Sequence, residues 1–467
     1  MINRADIEER VREWGLREDI VEKDYVLGWV LAGIGAHPLT QQSWVFKGGT
    51  CLKKCYFETY RFSEDLDFTI LGEAPPDTTT LLSIFREIAS WVYEKSGIEI
   101  PLGQLRFDAY TNPRGHISVQ GKLAYRGPLL PRGSLPRIKL DLTTDEILVQ
   151  PPVRLAIAHP YPDALGDVES VLAYSHVEIF AEKIRALAER LRPRDLYDVI
   201  NLYRHAAGRP PAADVLTVLA EKCAYKGIAV PSFASLEQDD GRDELDADWA
   251  SMLSHQLPAL PASEHFWIEL PAVFSWLDGT SIPHDMAHIP VAASEDASWS
   301  PAQTISTWGM GVPLEHIRFA AINHLCVELD YQGSTRIVEP YSLRRTQDGH
   351  LLLHALRTDT REHRSYRVDR ITGVRITKQP FTPVYAVEFA LSPIYVPAAV
   401  PPVNTAPQRR PSAQIKHNTH MVYVIKCSVC QKEFQRSTHD TTLHPHKNKN
   451  GWDCPGRNGY VKTTRYK

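Results

Sequence analysis

The chain has 467 residues, 43% of them hydrophobic and 23% charged, with a formal net charge of −4. That length exceeds one core and predicts two or three globular domains. No apolar run approaches the ~18 residues of a membrane span, and the charged N-terminus lacks the apolar stretch of a secretory signal. A cytoplasmic protein without membrane contact is expected.

The first part, 1–279, opens with helical segments. WVFKGGT (44–50) then reads as a short strand running into a helix, TCLKKCYF. RFSEDLDFTI reads as a turn entering a second strand, and PRIKLDLTT (136–144) alternates apolar and polar residues as a half-buried strand does. From 177 to 204 the apolar spacing becomes helical, with Pro193 starting or kinking a second helix, and 246–278 is helical again. Strands followed by a helical block predict an α/β or α+β fold. Residues 280–306 read as a linker. Segment 307–391 begins with a helix, PLEHIRFAAINH, and continues as short β segments parted by turn residues. Residues 392–420 are rich in Pro and Ala and read as a semi-stiff linker. The tail, 421–467, carries β-like MVYVIK and KEFQR.

The densest chemistry lies in FKGGTCLKKCYFETYRFSEDLDF. On a strand, residues two apart share a face, so Asp65 and Asp67 project together. Two such carboxylates suit Mg²⁺, which takes substrate phosphates as further ligands. Gly48 and Gly49, where a strand ends and a helix begins, allow close approach to a phosphate. Thr50 is placed to cap that helix, Lys53 or Lys54 to reach a phosphate, and Ser63 to contact a triphosphate. Asp141 is the expected third carboxylate, with Asp145 as runner-up. It would bind a second metal or activate the acceptor hydroxyl. The order hG[GS], DxD, distal Asp is the pattern of polymerase-β-type nucleotidyltransferases.

More of the chain carries a narrower likeness. VEKDYVLGWVL, FKGGTCLKK, RFSEDLDF, the Asp141 strand and EIFAEKIRALAERLRPRDLYDV resemble the AbiEii/AbiGii-type toxin nucleotidyltransferases over roughly residues 1–279. The resemblance implies a nucleotidyltransferase core with a helical C-terminal block. It also implies a toxin or phage-defence role, a cognate antitoxin, and transfer from an NTP, in some members onto the 3′ end of tRNA. Gly48, Gly49, Asp65 and Asp67 would belong to the core site, with Lys183 and the box Arg194–Asp198 contributing. A lysine facing the cleft binds triphosphate as a point charge, and Asp195 and Asp198 share a helix face. The bland reading of that box is a salt-bridged helix pair. VELDYQGSTRIVEPYSLRR and the strands after it resemble a WYL domain, a small SH3-like β-barrel. In place of the namesake Trp-Tyr-Leu stands Leu351-Leu352-Leu353 or Leu352-Leu353-His354. Arg336, Arg364, Arg367 and Arg370 are candidates for an anion-binding face there.

The tail is a candidate zinc-ribbon-like module. Cys427-x-x-Cys430 with Cys454 and a histidine supplies the four ligands of structural Zn²⁺. His446 is preferred over His444, and so small a core gains from a metal staple. Residues 404–467 hold twelve Lys/Arg against three Asp/Glu, which suits an RNA partner. The competing reading is a ligand- or nucleic-acid-sensing regulator whose transferase core is a non-catalytic scaffold. Intact carboxylates favour the enzyme.

Overall fold

The computed structural model describes residues 1–391 and 421–466, apart from 58–59, 73, 113, 131–132, 164, 166–168, 206–207, 282–285, 300–313, 437–440 and 449–452. The chain forms two compact units, Met1–Ala399 and Val400–Lys467. The expected linker at 392–420 lies outside the described residues, as does much of the one at 280–306.

The first unit opens with α1 (Arg4–Trp14) and α2 (Glu18–Ala36). Asn3 and Asp6 cap α1 reciprocally, and Gly15 ends it at φ 66. Next come β1 (Trp44–Lys47), α3 (Gly48–Cys51), a π-helical turn (Leu52–Tyr56), β2 (Asp65–Ile70) and α4 (Thr78–Ser96). Strands β3 (Arg106–Thr111), β4 (Ile117–Ala124), β5 (Arg137–Thr143), β6 (Val153–Ala156) and β7 (Ser170–Ala173) complete a seven-stranded sheet in the order 3-4-5-2-1-7-6. The β5/β2 and β1/β7 pairs are parallel and the others antiparallel. The strand–turn–strand feature around Gly48 is therefore not a parallel βαβ unit, because β1 and β2 run antiparallel.

The helical block is α5 (His176–Arg190), α6 (Pro193–Arg204), α7 (Ala212–Lys226), α8 (Phe233–Glu237), α9 (Arg242–Leu253), α10 (Glu264–Trp267) and α11 (Leu270–Leu277). Ser175 caps α5, Leu191 turns the chain at φ 41, and Pro193 occupies the first turn of α6, where its missing N–H costs nothing. The hairpin of α5 and α6 carries Lys183, Asp195 and Asp198.

Helix α12 (Leu314–Ile322) leads into β8 (Leu325–Tyr331), β9 (Ser334–Arg345), β10 (Leu351–Arg357), β11 (His363–Arg367) and β12 (Ile371–Pro380), ordered 11-10-9-8-12. The barrel expected here is corrected to an open sheet: β11 and β12 are its two edges, with no ladder between them among the described residues. Apolar residues of α12 and of β8 belong to the same continuous core as the transferase helices.

The second unit contains β13 (Met421–Cys427), β14 (Glu433–Arg436), β15 (His446–Lys447), β16 (Asp453–Cys454) and β17 (Gly459–Tyr466). Three of these strands form one antiparallel sheet in the order 14-13-17, and β15 pairs with β16. Its core is Ile425, Cys427, Leu443 and Cys454, too few apolar groups to stabilise a fold unaided.

Two histidines of the first unit make its stability acid-sensitive. His176 stacks on Tyr56 and His205 packs on Phe57. Burial pushes both imidazoles down to about 4. In the unfolded chain they take up protons near pH 6.5. Stability from keeping them neutral is therefore full above about pH 6.5 and lost as pH falls toward 4, by up to ~3 kcal/mol for each. Thermal melts at pH 7 and pH 5 should show a larger fall in Tm for the wild type than for His176→Gln/His205→Gln.

Candidate active site

The site is built where β1 hands over to α3. Lys47 ends β1 directly opposite Asp67 of β2. Gly48 follows at φ +81, and a Cβ there would lie 2.3 Å from Oδ2 of Asp67. Only glycine lets the backbone pass this close to the carboxylate. A Cβ on Gly49 would lie 2.4 Å from the Arg61 guanidinium. The Thr50 hydroxyl donates to the carbonyl of Asp65 at 2.5 Å and ties the turn to β2.

Along β2, Leu66 and Phe68 are fully buried, so Asp65 and Asp67 share the opposite face. Asp141 of β5 is the register partner of Asp67 in a parallel pair. Three carboxylates thus gather at the centre of the sheet. Among the described residues none of the three forms an ion pair. Burial pushes the Asp67 carboxyl up to about 6; Lys47 opposes the shift, while Asp141 and Asp65 add to it. Burial also raises Asp65, against the pull of Lys139 and Arg194. Crowded, half-desolvated carboxylates without a cationic partner are the donor set of a hard divalent cation.

A cleft of 330 Å³ opens beside them. It is lined by Lys47, Gly48, Gly49, Arg61, Ser63, Asp65, Asp67, Glu146, Glu182, Lys183, Arg185, Glu189, Arg190, Arg194 and Asp195, with two apolar residues of α5. Most of its cations are already matched. Lys183 lies 2.6 Å from Asp198 and 3.6 Å from Asp195. Arg190 grips Asp195 with two bonds of 2.7 and 2.9 Å. Arg185 pairs with Glu182 and Glu189, and Lys47 lies 3.4 Å from Glu146. Arg194 is different. Its buried Nε has no partner, and no hydrogen bond or ion pair holds its guanidinium among the described residues.

Asp198 is fully buried and does not line the cleft. It accepts two bonds from Arg61, at 2.7 and 2.8 Å, and one from Tyr60 at 2.9 Å. Burial alone would raise this carboxyl, but Arg61 and Lys183 outweigh it and hold it well below the usual carboxylate range. Asp198 thus holds Arg61 and Lys183 in place from behind the cleft wall. Thr50, 1% exposed and bonded to Asp65, neither caps a helix nor faces the cleft. The Lys53 ammonium lies over the Phe62 ring at 4.5 Å. Lys54 is buried against Asp24 at 2.7 Å. Asp145 is committed to Lys226 and Asn112. The expected residues Gly48, Gly49, Ser63, Asp65, Asp67, Lys183 and Asp195 do line the cleft. Sequence reading missed Lys47, Arg61 and Glu146. Lys47 alone had a local signal, as the strand residue just before the glycines.

Residues 29–278, more than half the chain, match the family profile of the nucleotidyl transferase AbiEii toxin of type IV toxin–antitoxin systems. The chain belongs to that family. It is an AbiEii-type nucleotidyltransferase, and residues 313–376 match the WYL domain. Similar solved structures include MenT4, a nucleotidyltransferase toxin of Mycobacterium tuberculosis H37Rv, at 21% identity over 61% of this chain and 92% of that one, with a TM-score of 0.36. Another is JHP933 of Helicobacter pylori, at 16% identity over 57% and 94%, TM-score 0.35. No curated protein matches the chain. No helix among the described residues is long and apolar enough to cross a membrane.

The WYL arginines are mostly spent internally: Arg364 pairs with Glu362, Arg367 with Asp369, and Arg336 donates to the carbonyls of Tyr331 and Ser334. In the tail, Cys427, Cys430, His446 and Cys454 bring their ligand atoms within 4.8 Å of one another. Backbone N–H groups of Val429 and Gly456 point at the sulfurs of Cys427 and Cys454. Nδ1 of His446 lies 2.8 Å from the His444 carbonyl, which leaves Nε2 toward Cys430 and fits a Cys₃His metal centre.

The two classes of carboxylate should respond oppositely to neutralisation. Asp198→Asn leaves the buried Arg61 without its carboxylate and Lys183 with Asp195 alone, and should cost ~3–5 kcal/mol in urea unfolding. Asp67→Asn relieves repulsion and should stabilise the metal-free protein by about 1–2 kcal/mol, while abolishing activity.

Proposed function

We propose that this AbiEii-type enzyme transfers a nucleoside monophosphate from an NTP to the 3′ end of an RNA acceptor of the tRNA class, as the toxin of a toxin–antitoxin pair. The observation that carries this reading is the unpaired carboxylate trio beside a cleft with a glycine turn and an unspent arginine. Asp65, Asp67 and Asp141 would hold Mg²⁺. When bound, the ion neutralises charge on the triphosphate and lowers the pKa of the attacking hydroxyl.

The chain's own residues do the rest. The Gly48–Gly49 turn lets the phosphates approach the backbone without a Cβ in the way. Lys183, held rigid by Asp195 and Asp198, keeps its ammonium group at a fixed place on the cleft wall. Arg194 is available to pair with a phosphate bidentately, since no hydrogen bond or ion pair holds its guanidinium among the described residues. Ser63 supplies a hydroxyl at the cleft wall. Asp141, beside Asp67 on the neighbouring strand, would accept the proton of the acceptor 3′-hydroxyl. Displacement at the α-phosphorus then releases pyrophosphate. The tail, with a structural Zn²⁺ in Cys427, Cys430, His446 and Cys454 and a net positive charge, is a fitting RNA-binding module.

Incubating the protein with Mg²⁺, each α-labelled NTP and total tRNA should label tRNA with the wild type only. Asp65→Ala/Asp67→Ala should label nothing, and Arg194→Ala should raise KM for NTP about 10–100-fold. Label on protein or a small molecule instead would overturn the RNA acceptor. No label anywhere, with NTP still bound, would overturn the enzyme reading.

A further inference from the structure

A second set of metal-type donors lies outside the cleft, in the first unit. His265 is in α10, Glu269 is the residue before α11, and His324 sits in the turn between α12 and β8. Their ligand atoms all lie within 4.8 Å of one another. Nδ1 of His324 is 3.9 Å from Oε1 of Glu269. The rings of His265 and His324 stand at 76° to each other, their centroids 6.4 Å apart. All three residues are partly exposed, which leaves an entry path from solvent.

The backbone makes His324 conspicuous. It takes φ +53 just past the end of α12, a position where glycine or asparagine satisfies the turn at least cost. The turn is pinned: the His324 carbonyl accepts from the N–H of Phe381 at 2.8 Å, and the imidazole packs on the Phe381 ring, 5.7 Å between centroids. Glu269 is oriented from behind by Arg204, whose Nε donates to Oε2 at 3.2 Å and whose Nη2 donates to Oε1 at 2.5 Å. A ligating carboxylate normally has such a partner, and here the oxygen nearest His324, Oε1, is the one Nη2 of Arg204 holds, so the metal would share that oxygen with Arg204.

We propose that His265, Glu269 and His324 form a binding site for a divalent transition metal of the zinc class, stapling the transferase helices to the WYL sheet. Two imidazoles and a carboxylate are a borderline donor set, and a water completes four-coordination. Tetrahedral ligand atoms stand ~3.3 Å apart, so side-chain rotations of about 1 Å close the site. The charge of Arg204 works against the cation, so this site is weaker than the cysteine cluster of the tail. His265 and Glu269 lie inside the AbiEii match and His324 inside the WYL match. The metal would therefore couple two regions that share one core, whatever acceptor the cleft serves.

The test uses the full chain with Cys427→Ser and Cys454→Ser, which removes the tail cluster, and with Asp65→Ala and Asp67→Ala, which removes the carboxylate site of the cleft. Zn²⁺ titration by calorimetry should show one site that His265→Ala or His324→Asn weakens at least about tenfold. Asparagine keeps the left-handed turn, and Glu269→Gln serves as a near-isosteric second check where a histidine variant unfolds. Co²⁺ in the same chain should give a visible ligand-field spectrum without thiolate charge-transfer bands, and Zn²⁺ should raise Tm only while all three ligands are present. Absence of stoichiometric Zn²⁺ binding, or binding unchanged in folded His265→Ala and Glu269→Gln, would overturn the proposal.

Discussion

One buried carboxylate holds the catalytic half together. Asp198 accepts from Tyr60, Arg61 and Lys183, three residues from the segment before β2 and from α5. Arg61 in turn donates to Gln256 at 2.9 Å and fills the space where a Gly49 side chain would be. Gly49 follows Gly48, and Gly48 grazes Asp67. The line from Asp198 to Asp67 is thus continuous contact, and it fixes the phosphate-side turn relative to the carboxylates. A buried ion network of this kind adds little net stability over a well-packed apolar core, but losing one member is costly. Its value here is position.

The cleft has two halves that are each incomplete. The trio of Asp65, Asp67 and Asp141 is an unmatched concentration of negative charge, and Arg194 is an unmatched positive charge across from it. The remaining cations are saturated by Glu146, Glu182, Glu189, Asp195 and Asp198. Such a site destabilises the empty protein and is complemented by a ligand that is a cation and a polyanion at once. A metal–triphosphate has that character. Stability spent at an active site in this way is the ordinary trade between folding and activity.

The parts legible in the sequence were those set by short-range periodicity. Alternation on β2 placed Asp65 and Asp67 on one face, the strand pattern around Asp141 put a carboxylate on a neighbour of β2, and Pro193 marked the start of α6. The Cys-x-x-Cys spacing likewise marked the tail cluster. Orientation along 48–56 was not legible. The helix there becomes a π-helical turn after Cys51, which rotates Lys53 and Lys54 to the aromatic and acidic partners they actually meet. Nor was the role of Arg61, whose partner is 137 residues away. Periodicity also cannot reveal whether a five-stranded sheet closes.

The central claim is that the trio holds a divalent cation against the phosphates of an NTP. The most direct measurement is a crystal structure with Mn²⁺ and a non-hydrolysable NTP, read by anomalous scattering. The expected result is a manganese peak beside Asp65 and Asp67, with the triphosphate along the Gly48–Gly49 turn and within reach of Lys183 and Arg194. A nucleotide bound elsewhere, or no metal at the carboxylates with nucleotide in place, would contradict it.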